Sequence, residues 1–568
     1  MVKTLREIRK SKQSAGEVQT GSAEPWSVLI CSDHHVGEHS KNFDRIEYVK
    51  RADSLDRELC AFLEYHGNHR VADRPWRLVI NGDFIDFLAV TFMPSRKEIA
   101  SNPEFEYSDD ELRFGLDNSA AKCVWKLEHI AERHKRLFTF LADFVAKGNR
   151  LEMLYGNHDV EFFWPSVQGR FVELLTESYF GGERVEGVNE EDFVNRVTFH
   201  QWFLHIPGRL YIEHGNQYDD FSSFDRRLRP LMVERESQIA MPLSHLIIRY
   251  FVNQYTGFQS HDKDNWTLLD YVHWLRDQGA RNVAKVVFLY GSLFSRVWNY
   301  TRDVQQNAPS QALTDEHDRL LEVEAVHYKI PVKALQEVSR SRRLPIEQSL
   351  WRTIQVTALD KYLLGLAIGS VVLWILAVGV FADVLSGFGS GLFSSGVRLL
   401  MLLAIGFLTI FAWFGTTALV ASFSEGRLST SVSPKLLQAA EQIHRLIDVR
   451  YVVMGHSHYP EFHQLKRDPP RFYVNTGAWI SPERRERHDP HCRSPLTYGL
   501  YRWDEDELKI YRWCTRESEP VEFRSDIESD RAPRAERLRP MAVEHDTLIE
   551  ALEAFQSRDT RKKRRGPR

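Results

Sequence analysis

The chain has 568 residues, which is long enough for more than one domain. Its formal net charge of −4 gives no overall basic field, so the composition speaks against a nucleic-acid partner. The five cysteines form no C-x-x-C pair, which argues against a zinc ribbon or a disulfide framework and favours a reducing compartment.

The first 25 residues contain only scattered apolar side chains among Lys, Arg, Ser and Gly. A secretory signal peptide needs a continuous apolar stretch, so this segment does not match one. We expect residues 1–25 to form a disordered leader.

Five short polar segments each follow an apolar run. The apolar runs are 28–30, 78–80, 151–155, 210–212 and 451–454. Short apolar runs bounded by glycine or polar residues predict buried strands. The polar segments after them are D-H-H at 33–35, G-D-F-I-D at 82–86, G-N-H-D at 156–159, H-G-N at 214–216 and G-H-S-H at 455–458. Strand ends of this kind can hold ligands rigidly beside an open cleft.

Further elements are predicted between and beyond these segments. Residues 120–146 carry apolar side chains at helical spacing and predict one amphipathic helix. Residues 497–503 and 508–515 predict a β-hairpin whose turn is the acidic segment 504–507. Strands with interspersed helices indicate an α+β fold, with two stacked mixed β-sheets flanked by helices.

In this order, the five polar segments resemble the motifs of the calcineurin-like metallophosphoesterases. The pattern of that family is D-x-H, G-D-x-x-[DE], G-N-H-[DE], a later His-Gly, and G-H-x-H. The resemblance covers about residues 26–216 and 451–480, and it implies the same two-sheet architecture. It also implies a dinuclear metal centre in an enzyme that hydrolyses phosphoric esters or pyrophosphates.

The resemblance assigns a set of ligands to each of two divalent cations. One set is Asp33, His35, Asp83 and His458, and the other is Asp83, Asn157, His214 and His456. Asp83 would bridge the two ions. Mixed carboxylate, amide and imidazole ligands favour manganese, with iron or zinc as alternatives. Two cations about 3.5–4 Å apart would clamp the attacking and leaving oxygens, with a hydroxide between them as the nucleophile.

Two further residues are expected to act in catalysis. His158 corresponds to the family's non-ligand histidine, which would stabilise charge in the transition state or protonate the leaving oxygen. We expect Asp159 to fix the tautomer and orientation of His158. His34 and Asn475 are interpreted as structural, and Asp86 as a hydrogen-bond partner of a ligand or as a cap for the segment that follows.

The chain between His214 and His456 contains two long uncharged segments. Neither 362–382 nor 399–424 has a charged residue, and each is long enough to cross about 30 Å of hydrocarbon. The sequence therefore predicts a two-span transmembrane hairpin over 362–424. A hydrophobic helical pair buried in a soluble cap is the alternative interpretation.

The positive-inside rule gives the hairpin an orientation. Basic residues lie on both flanks, at Arg342, Arg343, Arg352, Lys361, Arg427, Lys435 and Arg445. Both flanks and the catalytic domain are then expected in the cytoplasm, as are both termini. The prediction is an integral protein of the inner or plasma membrane, with the lipid bilayer as a partner.

The predicted organisation has six parts. They are a leader (1–25), a catalytic domain (26–216 and 451–516), a helical cap (217–361), the hairpin (362–424), a return helix (425–450) and a polar C-terminal tail with a basic end (517–568). Arg226, Arg227 and Arg229 follow His214 closely. They are candidates for binding phosphate, or they belong to a solvated helix start.

The position of the helical insertion is similar to that in UDP-2,3-diacylglucosamine pyrophosphatases. The chain departs from that branch at His158 and Asn216, where the branch typically has Arg and Asp. The expected function is a membrane-anchored phosphoesterase acting on a phosphoester or pyrophosphate, with a lipid or lipid precursor as the first candidate substrate. The alternatives are a tethered phosphodiesterase for a soluble nucleotide and a noncatalytic membrane scaffold.

Overall fold

The computed structural model describes eleven parts of the chain. They are residues 26–37, 46–101, 106–181, 187–233, 235–254, 280–307, 311–356, 403–404, 406–407, 432–479 and 496–523. These parts form an α+β fold with two mixed β-sheets, as the strand pattern predicts. The predicted leader and the end of the predicted tail lie outside them.

Twelve strands are described. They are β1 (Ser27–Cys31), β2 (Trp76–Asn81), β3 (Arg150–Leu154), β4 (Val197–His200), β5 (Phe203–Ile206), β6 (Leu210–Glu213), β7 (Tyr451–Met454), β8 (Pro460–Arg467), β9 (Pro470–Thr476), β10 (Thr497–Arg502), β11 (Glu507–Cys514) and β12 (Glu519–Glu522). The last of these lies in the segment predicted as a polar tail.

The two sheets combine parallel and antiparallel pairs. The first has the order β12-β11-β10-β1-β2-β3-β4, and the second has the order β5-β6-β7-β9-β8. Strands β1 to β4 are mutually parallel, as are β6, β7 and β9. The carboxyl ends of parallel neighbours meet at one edge of a sheet, so each sheet presents one edge from which several loops emerge.

The alternation of side chains along β1 shows how the sheets are buried. Val28 and Ile30 belong to the hydrophobic core that contains β6, β7 and β9, whereas Leu29 and Cys31 belong to a second core. Successive side chains of a strand point to opposite faces. The first sheet therefore packs against the second sheet on one face and against helices on the other.

Thirteen α-helices surround the sheets in the described part of the chain. They are α1 (Ile46–Asn68), α2 (Arg96–Ser101), α3 (Asp109–Phe114), α4 (Ala120–Arg133), α5 (Lys135–Ala146), α6 (Pro165–Phe180), α7 (Glu190–Asn195), α8 (Leu243–Tyr250), α9 (Ala280–Gln306), α10 (Gln311–His327), α11 (Val332–Arg340), α12 (Leu350–Val356) and α13 (Ser433–Leu446). Helices α1, α4, α5 and α6 cover the first sheet. Helices α10, α11 and α13 join the core of the second sheet.

The helix predicted over 120–146 is divided into α4 and α5. His134 lies between them with φ −103° and ψ 29°, and its Nδ1 is 2.7 Å from Asp56 Oδ2 on α1. A tertiary contact of this kind is not encoded in the helical spacing of apolar residues.

The β-hairpin predicted over 497–503 and 508–515 is confirmed, since β10 and β11 pair as antiparallel neighbours.

The structure corrects the prediction of a transmembrane hairpin over 362–424. Within the described part of the chain, no helix combines the length and the apolar character needed to cross a bilayer. Helices α1 and α9 have 23 and 27 residues, but charged residues recur along both. Residues 362–382 and 399–424 lie outside the described residues, apart from 403–404 and 406–407. The expected integral membrane location was inferred from this hairpin, so the structure does not support it either.

Candidate metal centre

The predicted ligands lie in loops that follow five strands. Asp33 and His35 come after β1, Asp83 after β2, Asn157 after β3, His214 after β6, and His456 and His458 after β7. The first five of these side chains are buried, and the two histidines after β7 are partly exposed. Loops from both sheets therefore bring all seven predicted ligands to one partly accessible place.

One cluster consists of Asp33, His35 and His458. The Nε2 atoms of His35 and His458 are 3.4 Å apart. His458 Nε2 also lies 3.3 Å from Asp33 Oδ1. These three residues belong to the first predicted ligand set.

A second cluster consists of Asp83, His214 and His456. His214 Nε2 is 3.2 Å from Asp83 Oδ2 and 4.0 Å from Asp33 Oδ1. The second distance joins this cluster to the first. Its three members belong to the second predicted ligand set.

The spacing of these atoms matches what a divalent cation requires. Cations such as Zn²⁺ hold nitrogen and oxygen ligands at about 2.0–2.2 Å, so tetrahedral ligands around one ion lie about 3.3–3.6 Å from each other. The contacts of 3.2, 3.3 and 3.4 Å in the two clusters fall in or at the edge of this range.

Asn157, the seventh predicted ligand, is buried, and its Oδ1 has no hydrogen-bond partner among the described residues. Such a buried acceptor needs a partner, and a cation would supply it.

The protonation of the buried groups follows from their mutual contacts. Burial raises the pKa of Asp83, but His214 and His158 outweigh it and hold the pKa well below its usual value. His35, from the first cluster, acts on Asp83 in the same direction. Burial lowers the pKa of His214, but Asp83 and Asp33 reverse this and raise it to about 9. The carboxylates thus attract positive charge, which cations would supply in place of protons.

The backbone at five of the seven positions is in the left-handed region. The φ angles are 56° at Asp33, 49° at His35, 53° at Asp83, 65° at His456 and 62° at His458. Non-glycine residues rarely adopt such angles, which cost about 1–3 kcal/mol each and cluster at functional sites. Five such residues in one place make it a candidate functional site independently of any motif.

Backbone hydrogen bonds between loops hold the strained conformations. The amides of His34 and His35 both donate to Asp83 O, each at 2.9 Å. The amide of His456 donates to Asp33 Oδ2 at 3.0 Å. The loops after β1, β2 and β7 are therefore fixed to one another before any ligand binds.

Gly156 allows the loops after β2 and β3 to approach closely. A Cβ atom at this position would lie 1.9 Å from Asp83 Oδ1 and 2.7 Å from Asp83 N. Neither atom can move without disturbing the centre, so the close approach requires glycine.

The side chain of His158 forms an ion pair with Asp86. Its Nδ1 is 3.2 Å from Asp86 Oδ1. Burial lowers the pKa of His158, but Asp86 and Asp83 outweigh it and raise the pKa to about 10. These carboxylates thus favour the protonated imidazole of His158. Asp86, expected to be a hydrogen-bond partner of a ligand or a cap, is the carboxylate in contact with its ring. Asp86 also caps the turn that follows, since it accepts from the amides of Leu88 and Ala89.

Asp159 connects two loops. Its Oδ1 accepts from Gly156 N at 2.7 Å, and its Oδ2 accepts from Phe84 N at 2.8 Å. Through these two hydrogen bonds Asp159 fixes the loops that present Asp83 and Asn157. The expectation that Asp159 also orients His158 stays a prediction.

Replacing Asp159 with alanine should destabilise the fold by about 2–6 kcal/mol, because two buried amides lose their acceptor at about 1–3 kcal/mol each. Asp159→Asn keeps one acceptor oxygen and should lose less. Urea unfolding of both variants, each freed of metal, measures the effect. If both variants kept wild-type stability and lost only activity, Asp159 would act on His158.

The remaining polar residues near the motifs have structural contacts. The His34 ring packs between Phe84 and Trp479 at centroid distances of 5.4 and 5.7 Å. Asn475 Nδ2 donates to Gly455 O at 2.7 Å, which supports the loop after β7. Both contacts agree with the structural interpretation of these residues.

The three arginines after His214 contact protein groups. Arg227 is buried, and its guanidinium donates to the carbonyl oxygens of Tyr155 and Gly156. Arg226 donates to Leu231 O, and Arg229 pairs with Glu316. Arg227 thus supports the backbone next to Asn157, and the structure gives no reason to assign the three to phosphate.

Two residues of the insertion that were not among the predicted site residues reach the centre. Asp219 Oδ2 is 3.3 Å from His456 Nε2. His245 on α8 is buried, and its ring centroid is 6.4 Å from that of His158. Neither belongs to a motif, and only the fold brings them here.

Comparison with known proteins adds no family to this description. No protein-family model and no curated protein matches the chain.

Proposed function

We propose that this protein is a hydrolase of phosphoesters or pyrophosphates that depends on two divalent cations. The observation that supports it best is the pair of adjacent donor clusters, joined at Asp33 and His214, whose atoms have the spacing of ligands around metal ions. The resemblance of the five motifs to those of calcineurin-like metallophosphoesterases points to the same chemistry. Manganese is our first candidate for the cations, followed by iron or zinc.

Each residue of the centre has a defined task in this proposal. Asp33, His35 and His458 would hold one cation, and Asn157, His214 and His456 the other, with Asp83 facing both. Bound cations would activate water and neutralise charge on the phosphoryl oxygens. His158, kept protonated by Asp86, would donate a hydrogen bond to a phosphoryl oxygen or a proton to the leaving oxygen.

Lipid substrates are not favoured over others in this proposal. The expectation of a lipid or lipid precursor rested partly on the transmembrane hairpin, which the structure does not support. It rested also on the similar position of the insertion in UDP-2,3-diacylglucosamine pyrophosphatases, a branch from which the chain departs at His158 and Asn216. The shared chemistry is a phosphoester or pyrophosphate, and soluble nucleotides are equal candidates.

The proposal is tested with purified protein that has been freed of metal. We expect no turnover of a chromogenic phosphodiester without added metal and a return of turnover with Mn²⁺. A screen over phosphomonoesters, phosphodiesters and nucleotide pyrophosphates, soluble and lipid-linked, then ranks the substrates. Absence of metal-dependent hydrolysis across that screen, in protein shown to bind two ions, would contradict the proposal.

A further inference from the structure

A carboxylate outside the five motifs contacts the predicted ligand His456. The Oδ2 atom of Asp219 lies 3.3 Å from His456 Nε2, and Asp219 is buried. Lys435 Nζ is 3.6 Å from the other oxygen of Asp219, which favours the ionised carboxylate. An ionised carboxylate can only accept, so His456 Nε2 must donate its hydrogen. The other nitrogen, Nδ1, then has its lone pair available for a cation.

His214 also has one ring nitrogen bound to an acceptor and the other facing the centre, and its acceptor is a backbone carbonyl oxygen. His214 Nδ1 lies 2.8 Å from Asn81 O, so it donates there and leaves Nε2 facing Asp83. In metal sites the second nitrogen of a histidine ligand is almost always bound to a carboxylate, carbonyl or water. Asp219 supplies that partner to His456.

Asp219 is itself held by groups from the insertion. Lys435 on α13 contacts both Asp219 and Asp220, the latter at 2.8 Å. Arg352 on α12 forms an ion pair with Asp220. In addition, the amide of Phe221 donates to Asp219 Oδ1 at 3.4 Å. Helices α12 and α13 come from opposite sides of residues 357–431 in the sequence, and they meet at these two carboxylates.

We propose that Asp219 is a positioning residue of the metal centre. It fixes the tautomer and ring orientation of His456 and so strengthens binding of the cation on that side. This inference rests on the proposed function, because it requires a metal centre. The proposal also assigns a role to the insertion, which supplies Asp219 to orient the metal ligand His456 and holds Asp219 in place through Lys435.

Titration of metal-free protein with Mn²⁺ by calorimetry tests this role. Asp219→Ala should weaken binding of one of the two ions by about 10–100-fold, the usual effect of losing such a partner. Asp219→Asn should lose less, because its amide oxygen still accepts from His456 Nε2. The matched control is Asp225→Asn, a substitution in the same insertion that removes an ion pair to Arg342 and leaves the Lys435 contacts with Asp219 and Asp220 in place. It should leave both affinities unchanged.

Substitution of Co²⁺ gives a second readout. The visible absorption of the bound Co²⁺ should change for one ion in Asp219→Ala and for neither ion in Asp225→Asn. Thermal unfolding without metal checks that each variant is folded. If Asp219→Ala does not fold, the nearly isosteric Asp219→Asn is measured in its place. We expect this variant to bind one of the two ions more weakly than the wild type does.

Three outcomes would overturn the inference. Unchanged affinity in both Asp219 variants would show that the contact does not matter. Complete loss of one ion at saturating Mn²⁺ would make Asp219 a ligand. An equal loss in Asp225→Asn would indicate general loosening of the insertion. Failure of the wild-type protein to bind two ions would instead contradict the proposed function itself, so the two failures are distinguishable.

Discussion

Replacing Asp83 with asparagine is expected to abolish phosphoester hydrolysis and to reduce the amount of bound metal. Asp83 Oδ2 is 3.2 Å from His214 in one cluster, and His35 of the other cluster lowers its pKa. The substitution removes the negative charge that favours two nearby cations, and an amide nitrogen is not a metal ligand of this type. Metal analysis of the purified protein and turnover of a chromogenic phosphodiester measure the two effects.

Asp56→Asn is the matched control for this prediction. The Asp56 carboxylate also contacts a histidine, His134 on the α4–α5 break, but this pair belongs to neither donor cluster. The control should keep wild-type metal content and turnover. The assignment of Asp83 would be wrong if its asparagine variant bound as much metal as the wild type and hydrolysed substrate at the same rate.

The strands that present the centre were predictable because they are buried. Residues 28–30, 78–80 and 451–454 are short apolar runs, and the structure places them in β1, β2 and β7. Strands that are buried on both faces consist of consecutive apolar residues, so the polar ligand residues that follow them mark the end of each strand clearly. Local sequence therefore located the strand ends. Parallel pairing within each sheet and the packing of the two sheets against each other brought the loops together.

The partners of the ligands were not predictable in the same way. Adjacency in sequence suggested Asp159 as the partner of His158, and the ion pair of His158 with Asp86, from another loop, was not predicted. Asp159 faces two backbone amides because the chain turns between positions 158 and 159. Such choices depend on loop conformations that side-chain patterns do not encode. The contact between Asp219 and His456 was not predicted for a related reason, since the two residues are distant in sequence.

The transmembrane hairpin shows where composition is an insufficient guide. Uncharged segments at 362–382 and 399–424 satisfied the length requirement for a membrane span. The described helices of the same insertion instead pack together, with Leu246 of α8 and Val297 of α9 in one hydrophobic cluster with Phe114. Apolar side chains in this insertion thus contribute to a protein core, which hydropathy alone does not distinguish from a lipid-facing surface.

His158→Ala should keep the metal content of the wild type and lose about 10²–10⁴-fold in turnover, the usual range for a positioned acid or base. The loss should be smaller for substrates with good leaving groups if His158 protonates the leaving oxygen. His158 also lies near His35 and Asp86 in an arrangement that could hold a cation. Metal analysis separates the two roles, because loss of an ion in the variant would make His158 a ligand.

Asp86→Asn tests whether Asp86 acts through His158. Asparagine keeps the acceptor oxygen that caps the turn at Leu88 and Ala89, so the substitution removes charge and leaves the cap in place. A charge-assisted hydrogen bond is roughly twice as strong as a neutral one, so turnover should fall by roughly tenfold. In a His158→Ala background the same substitution should have no further effect, because the group it supports is gone. Losses that multiply in the double variant would mean that Asp86 acts on substrate or metal independently of His158.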